Sequence, residues 1–120
     1  MQRLIRSFVY AWQGIRHCFA KEANFKIHAG IAAVTLLLSA LLKISSLEWL
    51  VIAICIALVM GMEMLNTAIE HLCNLVYPGR SNHIKIIKDV AAAAVMVCAI
   101  AAAACGLIIF LPKILPLFRY

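Results

Sequence analysis

Four polar residues stand at the end of a long apolar run, where the sequence reads EMLNTAIE over residues 63–70. Asn66, Thr67 and Glu70 follow Glu63 at i+3, i+4 and i+7, so a helix would present all four on one face. The two carboxylates would lie about 10 Å apart along that face. Because carboxylates act as general bases and as ligands of hard cations, we treat these four residues, the polar stripe, as a candidate site.

The composition indicates an all-α integral membrane protein rather than a soluble domain. Of the 120 residues, 66% are hydrophobic and 13% are charged, with a mean hydropathy of +1.01. Soluble domains carry about 25% charged residues. The length predicts one domain, residues 1–120. Although the net charge is +6, the basic residues flank apolar segments, so we expect no nucleic-acid partner.

Residues 2–21 are predicted to form one amphipathic helix. A basic helix with an aromatic edge is typical of helices that lie on a membrane surface, and a helix packed on a partner protein is the alternative. The apolar face is formed by Leu4, Ile5, Phe8, Trp12, Ile15 and Phe19, and the polar face by Arg3, Arg6, Gln13, Arg16 and Lys21.

Three apolar segments follow, at about residues 26–44, 47–76 and 90–111. A spanning helix needs ~20 apolar residues: the third segment meets this length, the first is marginal, and the second has only a short uncharged stretch before Glu63. The short turn KISSLEW predicts an antiparallel hairpin between the first two segments, whereas the second connection, YPGRSNHIKIIKD, is longer and basic. The alanine-rich third segment predicts a close helix–helix contact, within the chain or between subunits.

The distribution of Lys and Arg predicts the orientation. Residues 1–28 carry five and the loop 77–89 carries three, against three on the opposite side. The positive-inside rule then places the N-terminus and this loop in the cytoplasm. Glu63 would lie in the inner third of the membrane, where an ionisable residue costs at least ~2.5 kcal/mol and is normally functional.

Further polar residues are expected to meet the stripe. Glu22 ends the surface helix, and Lys85, Lys88 and Asp89 stand at the predicted head of the third span. Taken alone, Lys88 is explained as a membrane anchor and Asp89 as a favourable charge at a helix N-terminus. Together with the stripe, they resemble a site for Mg²⁺ and phosphate. The sequence contains no phosphate-binding GxxxxGK(S/T) loop and no HRD or DFG motif.

Two other functions compete with phosphoryl transfer. A small proton-coupled transporter would place a glutamate near the middle of its first span and normally has four spans. A cofactor-anchoring subunit would place histidines deep inside its spans, where this sequence has none. The five cysteines form no CxxC pair and are interpreted as small hydrophobic residues.

Three segments resemble the small prokaryotic diacylglycerol kinase and undecaprenol kinase family. EMLNTAIE matches its signature E-x-x-N-(S/T)-A-x-E, residues 7–28 resemble its surface helix, and IKDVAAAAV resembles its A-K-D-x-(A/G)-A-(A/G)-A-V segment. The resemblance implies a homotrimeric kinase of the bacterial cytoplasmic membrane. It would use ATP and Mg²⁺ to phosphorylate a lipid hydroxyl at active sites shared between subunits on the cytoplasmic face.

The resemblance also implies a role for each site residue. Glu63 would be the catalytic base, with Asn66 positioning the reacting groups beside it. The metal ions on the ATP phosphates would be bound by Glu22 and Glu70. Lys88 would contact the phosphates, and Asp89 would support the nucleotide site.

Three positions depart from the family pattern. His28 stands where diacylglycerol kinases carry a glutamate, Lys26 replaces a more common arginine, and Ile87 replaces the alanine before Lys88. The His28 form is more similar to members that phosphorylate undecaprenol. We therefore expect undecaprenol as the substrate, with diacylglycerol as the alternative, and assign no metal role to His28.

Overall fold

Four helices make up nearly all of the structure, a computed structural model that describes residues 1–119. They are α1 (Gln2–Lys21), α2 (Ala23–Leu41), α3 (Ser46–Val76) and α4 (Asn82–Ile114), and α4 runs into a short 3₁₀ helix, Leu115–Phe118. Helices α2, α3 and α4 are long and apolar enough to cross a membrane. The predicted all-α class, with one amphipathic helix before three apolar ones, is confirmed.

The junction between α1 and α2 is a single residue, Glu22. Its backbone is extended (φ −106°, ψ 108°), so the helix breaks there even though Glu22 N–H still donates to the Cys18 carbonyl at 2.9 Å. Beyond this break α2 starts at Ala23. The interruption places the Glu22 carboxylate at a corner between two helices.

The α2–α3 hairpin is stabilised by local hydrogen bonds. Lys43 adopts a left-handed conformation with φ 49°, which turns the chain back after α2. Ser45 Oγ then accepts from the Glu48 N–H at 3.2 Å, and Glu48 Oε2 accepts from the Ser45 N–H at 2.8 Å. This reciprocal cap satisfies two donors at the start of α3. Glu48 also pairs with Lys113 of α4 at 3.2 Å, so this acidic residue has a structural role.

Helix α4 begins at Asn82, well before the apolar segment expected from about residue 90. The polar sequence between these positions continues the helix, with Lys85 and Asp89 paired at i,i+4. Asp89 is consequently two turns inside α4. The interpretation of Asp89 as a charge at the helix N-terminus is wrong, because that effect fades beyond the first turn.

Helix α3 is the centre of the fold and packs against α1, α2 and α4. Within residues 1–119, no Cα atom of α2 lies within 8 Å of a Cα atom of α4, so the two helices flank α3 and leave an open groove between them. On α4, Ala91 and Val95 are buried, which shows that part of the alanine-rich run packs against α3. Most large apolar side chains on α1 and on the outer faces of the other helices are exposed, as expected for contact with lipid or further subunits.

Candidate active site

Three of the four residues of the polar stripe are, after Ser39, the most deeply buried polar residues among residues 1–119. Glu63, Asn66 and Thr67 are only 3%, 7% and 5% exposed. Asn66 Oδ1 and Thr67 Oγ1 are buried without a hydrogen-bond partner among the described residues. Buried polar atoms normally have partners, and each exception needs an explanation. A ligand bound in this region would supply the missing partners.

Glu63 of α3 faces His28 of α2. His28 Nε2 lies 3.9 Å from Glu63 Oε2, and the His28 side chain is partly exposed. The histidine that departs from the family pattern is thus the nearest basic group to the buried carboxylate within residues 1–119. Of the two side chains, only that of His28 is partly accessible from outside the helix contact.

The negative charges of Glu22 and Glu63 both affect the thiol of Cys18. Cys18, one turn before Glu22 on α1, is buried. Burial raises the pKa of this thiol, and the negative charges of Glu22 and Glu63 raise it further. The end of α1 packs on α3, with Glu22 next to His71.

At the outer end of the stripe, Glu22 meets two histidines. His71 Nε2 lies 3.6 Å from Glu22 Oε1, and the His17 and His71 rings meet edge to face with centroids 5.3 Å apart. Glu70, the neighbour of His71, is half-buried. Among residues 1–119, no cationic side chain pairs with Glu70, so its carboxylate remains available for a ligand.

Lys88 forms a hydrogen bond with Asn74, a residue of α3 one turn beyond the polar stripe. Lys88 Nζ donates to Asn74 Oδ1 at 2.6 Å, and Asn74 follows Glu70 by one helical turn on the same face. Asp89 is instead paired with Lys85 and is exposed. Both Lys88 and Asp89 border an open cavity of about 540 Å³ that Arg80, Ser81 and Lys85 also line. The structure thus places Lys88 against Asn74, one turn beyond the stripe, whereas Asp89 is exposed and paired with Lys85.

An apolar groove runs along α3 between α2 and α4. Its volume is about 320 Å³, and it is lined by residues that include His28, Thr35, Cys55, Val59, Ala102 and Phe110. His28 is its first α2 residue and Leu38 the last, a span of about 15 Å along the helix. The groove is therefore shaped for an extended apolar chain, and it begins beside Glu63.

Sequence reasoning missed three residues of this region. Asn74 lies eleven residues after Glu63, a spacing that returns to the same helix face, so the helical period could have found it. His71 stands beside Glu70 in the sequence, but adjacent residues of a helix do not share a face, so the spacing gives no signal for it. Nothing in the sequence connects His17 to His71, because their contact depends on how α1 packs on α3.

These features define a class of protein: a multi-pass membrane protein with a buried carboxylate beside an apolar groove. The sequence profile described as prokaryotic diacylglycerol kinase matches residues 9–110. Over 114 residues, the chain is 40% identical to an undecaprenol kinase of Bacillus subtilis, covering 95% of this chain and 93% of the relative. Over 118 residues, it is 42% identical to a diacylglycerol kinase of Synechocystis sp., covering 95% of this chain and 66% of that relative.

The chain belongs to the prokaryotic diacylglycerol kinase family. It is a membrane lipid kinase, and ATP is its co-substrate. The resemblance found in the three sequence segments is confirmed. The transporter and the cofactor-anchoring subunit are both set aside by this membership.

Proposed function

We propose that the protein transfers the γ-phosphoryl group of ATP to the hydroxyl of undecaprenol, with diacylglycerol as the alternative acceptor. The observation that carries this proposal is the position of Glu63, which is buried beside His28 where the apolar groove begins. A lipid whose chain occupies the groove would bring its terminal hydroxyl to this carboxylate. The groove would bind the apolar chain of the lipid, and the stripe would bind its hydroxyl end.

Glu63 is proposed as the general base. It accepts the proton of the lipid hydroxyl while the hydroxyl oxygen forms a bond to the γ-phosphorus of ATP. The bond between the γ-phosphorus and the bridging oxygen breaks, and ADP leaves. Positioning and charge stabilisation supply most of the catalysis in such transfers. Asn66 is proposed to orient the reacting groups, and its unpartnered Oδ1 supports that role.

Glu22 and Glu70 are proposed to bind Mg²⁺. The donor set fits this ion, because Mg²⁺ prefers carboxylate oxygens together with substrate phosphates. Within residues 1–119, Glu70 has no cationic partner, and the basic groups beside Glu22 are the imidazoles of His71 and His17. Bound Mg²⁺ would neutralise negative charge on the ATP phosphates. The two carboxylates lie at the end of the stripe farther from the groove, on the side where a water-soluble nucleotide arrives.

Lys88 is proposed to contact the ATP phosphates. Its hydrogen bond to Asn74 holds the ammonium group one helical turn from Glu70. A phosphate placed between the two would meet a cation on α4 and a carboxylate ligand of the metal on α3. Asp89 is proposed to support the nucleotide site indirectly, since its carboxylate holds Lys85 beside the same open cavity.

The choice of undecaprenol rests on His28 and on the comparison with the Bacillus subtilis enzyme. That relative, an undecaprenol kinase, matches this chain over 93% of its length. His28 puts an imidazole beside the base, where the resemblance implies a glutamate in diacylglycerol kinases. The diacylglycerol kinase of Synechocystis sp. is about equally identical, which keeps diacylglycerol as the second candidate.

The proposed setting is the bacterial cytoplasmic membrane, with α1 on its cytoplasmic surface and the site facing the cytoplasm. The excess of Lys and Arg in residues 1–28 and 77–89 supports this orientation. We also propose a homotrimer, as the resemblance implies. The exposed apolar faces of α3 and α4 support association with further copies.

Parallel assays of two lipids test the proposed function. The purified protein in detergent, with Mg²⁺ and labelled ATP, is offered undecaprenol and diacylglycerol separately. We expect label in both lipids or in undecaprenol alone, with the higher kcat/KM for undecaprenol. A higher value for diacylglycerol would keep the mechanism and reverse the substrate assignment. Label in neither lipid, from a folded sample, would contradict the proposal.

A further inference from the structure

We infer that His17, Glu22 and His71 form a binding site for a transition-metal ion of the Zn²⁺ or Co²⁺ type. Their ligand atoms all lie within 4.8 Å of one another. The three residues come from the last turns of α1, the α1–α2 junction and the last turns of α3. The cluster therefore forms only when α1 is packed against α3.

The donor chemistry of this cluster differs from that of the proposed Mg²⁺ site. Two imidazoles and one carboxylate suit Zn²⁺, Co²⁺ and related ions, whereas Mg²⁺ prefers oxygen ligands alone. Three protein ligands leave a fourth position open for water or for a phosphate oxygen, an arrangement found in zinc sites that keep an exchangeable position. The cluster is thus selective by chemistry for a different class of ion.

The geometry needs little adjustment to accept such an ion. Ligand bonds of about 2.0–2.2 Å in a tetrahedral site put neighbouring ligand atoms roughly 3.4 Å apart. His71 Nε2 and Glu22 Oε1 are 3.6 Å apart already. The side chains of His17 and His71 are exposed at the surface, so rotation of the His17 ring can complete the set without moving a helix.

The shared ligand gives this site a consequence for catalysis, which rests on the proposed function. Glu22 is also a proposed Mg²⁺ ligand. A transition-metal ion on its carboxylate would draw negative charge away from the Mg²⁺ position and place a second dication beside it, which weakens Mg²⁺ binding. A transition-metal ion held by the two histidines would therefore compete with Mg²⁺-dependent binding of ATP. The site is inhibitory in this view, and its affinity is set by histidines outside the phosphoryl-transfer machinery.

Titration with Co²⁺ tests the site directly. The full-length protein without a polyhistidine tag is titrated in detergent, with no nucleotide and no lipid present, while visible Co²⁺ absorption is recorded. The His17→Ala/His71→Ala double variant removes both imidazoles, and His83→Ala is the matched control because His83 is exposed and lies outside the cluster. We expect saturable binding in the wild type and in His83→Ala, and binding at least tenfold weaker in the double variant.

Two results would overturn the inference. Absence of saturable Co²⁺ binding in the wild type would show that His71 and Glu22 form only an ion pair. Equal binding in the double variant would place the metal elsewhere. Lipid phosphorylation and its inhibition by Zn²⁺ are measured on the same samples, so that the metal site and the proposed function are tested separately. Saturable Co²⁺ binding by a protein without kinase activity would contradict the proposed function and leave the metal site standing.

Discussion

His28 Nε2 lies 3.9 Å from Glu63 Oε2, across the contact between α2 and α3. The carboxylate is almost fully buried, whereas the imidazole is partly exposed and lines the apolar groove. His28 thus stands between the proposed base and the proposed lipid chain. A lipid bound in the groove would therefore contact His28, and His28 in turn neighbours the Glu63 carboxylate.

Removal of this imidazole is expected to impair the lipid step rather than ATP binding. For His28→Ala we predict a decrease in kcat of about tenfold, equivalent to ~1.4 kcal/mol of transition-state stabilisation, because Glu63 loses its nearest basic neighbour. The apparent KM for Mg-ATP should stay within twofold. Steady-state kinetics with each substrate varied in turn measure both values. His83→Ala is the control, and an unchanged kcat in His28→Ala would show that His28 does not contribute to the lipid step.

Glu63→Gln is predicted to abolish turnover while leaving the protein folded. The substitution is nearly isosteric but removes the proton acceptor, and general bases contribute roughly 10²- to 10⁴-fold. Phosphate transfer from labelled ATP measures the loss, and the elution volume in size-exclusion chromatography reports assembly. Glu48→Gln is the matched control: it changes a glutamate of the same helix that caps α3 and pairs with Lys113. Full activity of Glu63→Gln would eliminate the base assignment.

Some elements of this fold can be predicted from the sequence because a single pattern, hydropathy or the helical period, determines them. Long apolar runs must form helices in lipid, because backbone polar groups need partners within the segment. The shared face of Glu63, Asn66, Thr67 and Glu70 follows from the helical period alone. Hydropathy marks only the apolar part of α4, since it does not detect a helix that continues through the polar residues before Val90.

The contacts between helices could not be predicted in the same way. The pairs His28–Glu63, Glu22–His71 and Lys88–Asn74 each join separate helices or a helix and a junction. Their existence depends on the rotation of each helix about its axis and on the bend at Glu22. A single sequence shows which residues share a helix face, but it does not show which faces meet.

Glu70→Ala is predicted to weaken Mg-ATP binding more than lipid binding. The change removes one of two proposed metal ligands at the end of the stripe far from the groove, so we expect the apparent KM for Mg-ATP to rise about tenfold. The apparent KM for the lipid should change less than twofold. Kinetics over a range of Mg²⁺ concentrations measure both effects. An unchanged Mg-ATP value at limiting Mg²⁺ would argue against a metal role.

The thiol of Cys18 offers a probe of the carboxylates around it. Its pKa is raised by burial and by the charges of Glu22 and Glu63. Glu22→Gln removes one negative charge, so the pKa should fall and the thiolate fraction at a fixed pH should increase. We predict severalfold faster alkylation of Cys18 near pH 8, followed by peptide mass spectrometry. Cys98 of α4 is the internal control, and equal rates at Cys18 in both proteins would show that Glu22 exerts no charge effect there.

The Lys88–Asn74 hydrogen bond is predicted to position Lys88 for ATP. Asn74→Ala should raise the apparent KM for Mg-ATP by about threefold to tenfold, since a bond to a charged group typically contributes more than a neutral one. Lys88→Met should raise it further. If Asn74 acts through Lys88, adding Asn74→Ala to Lys88→Met should cause no additional loss, because interacting residues are not additive. Strictly additive effects in this double-mutant cycle would show that the two residues act on ATP independently.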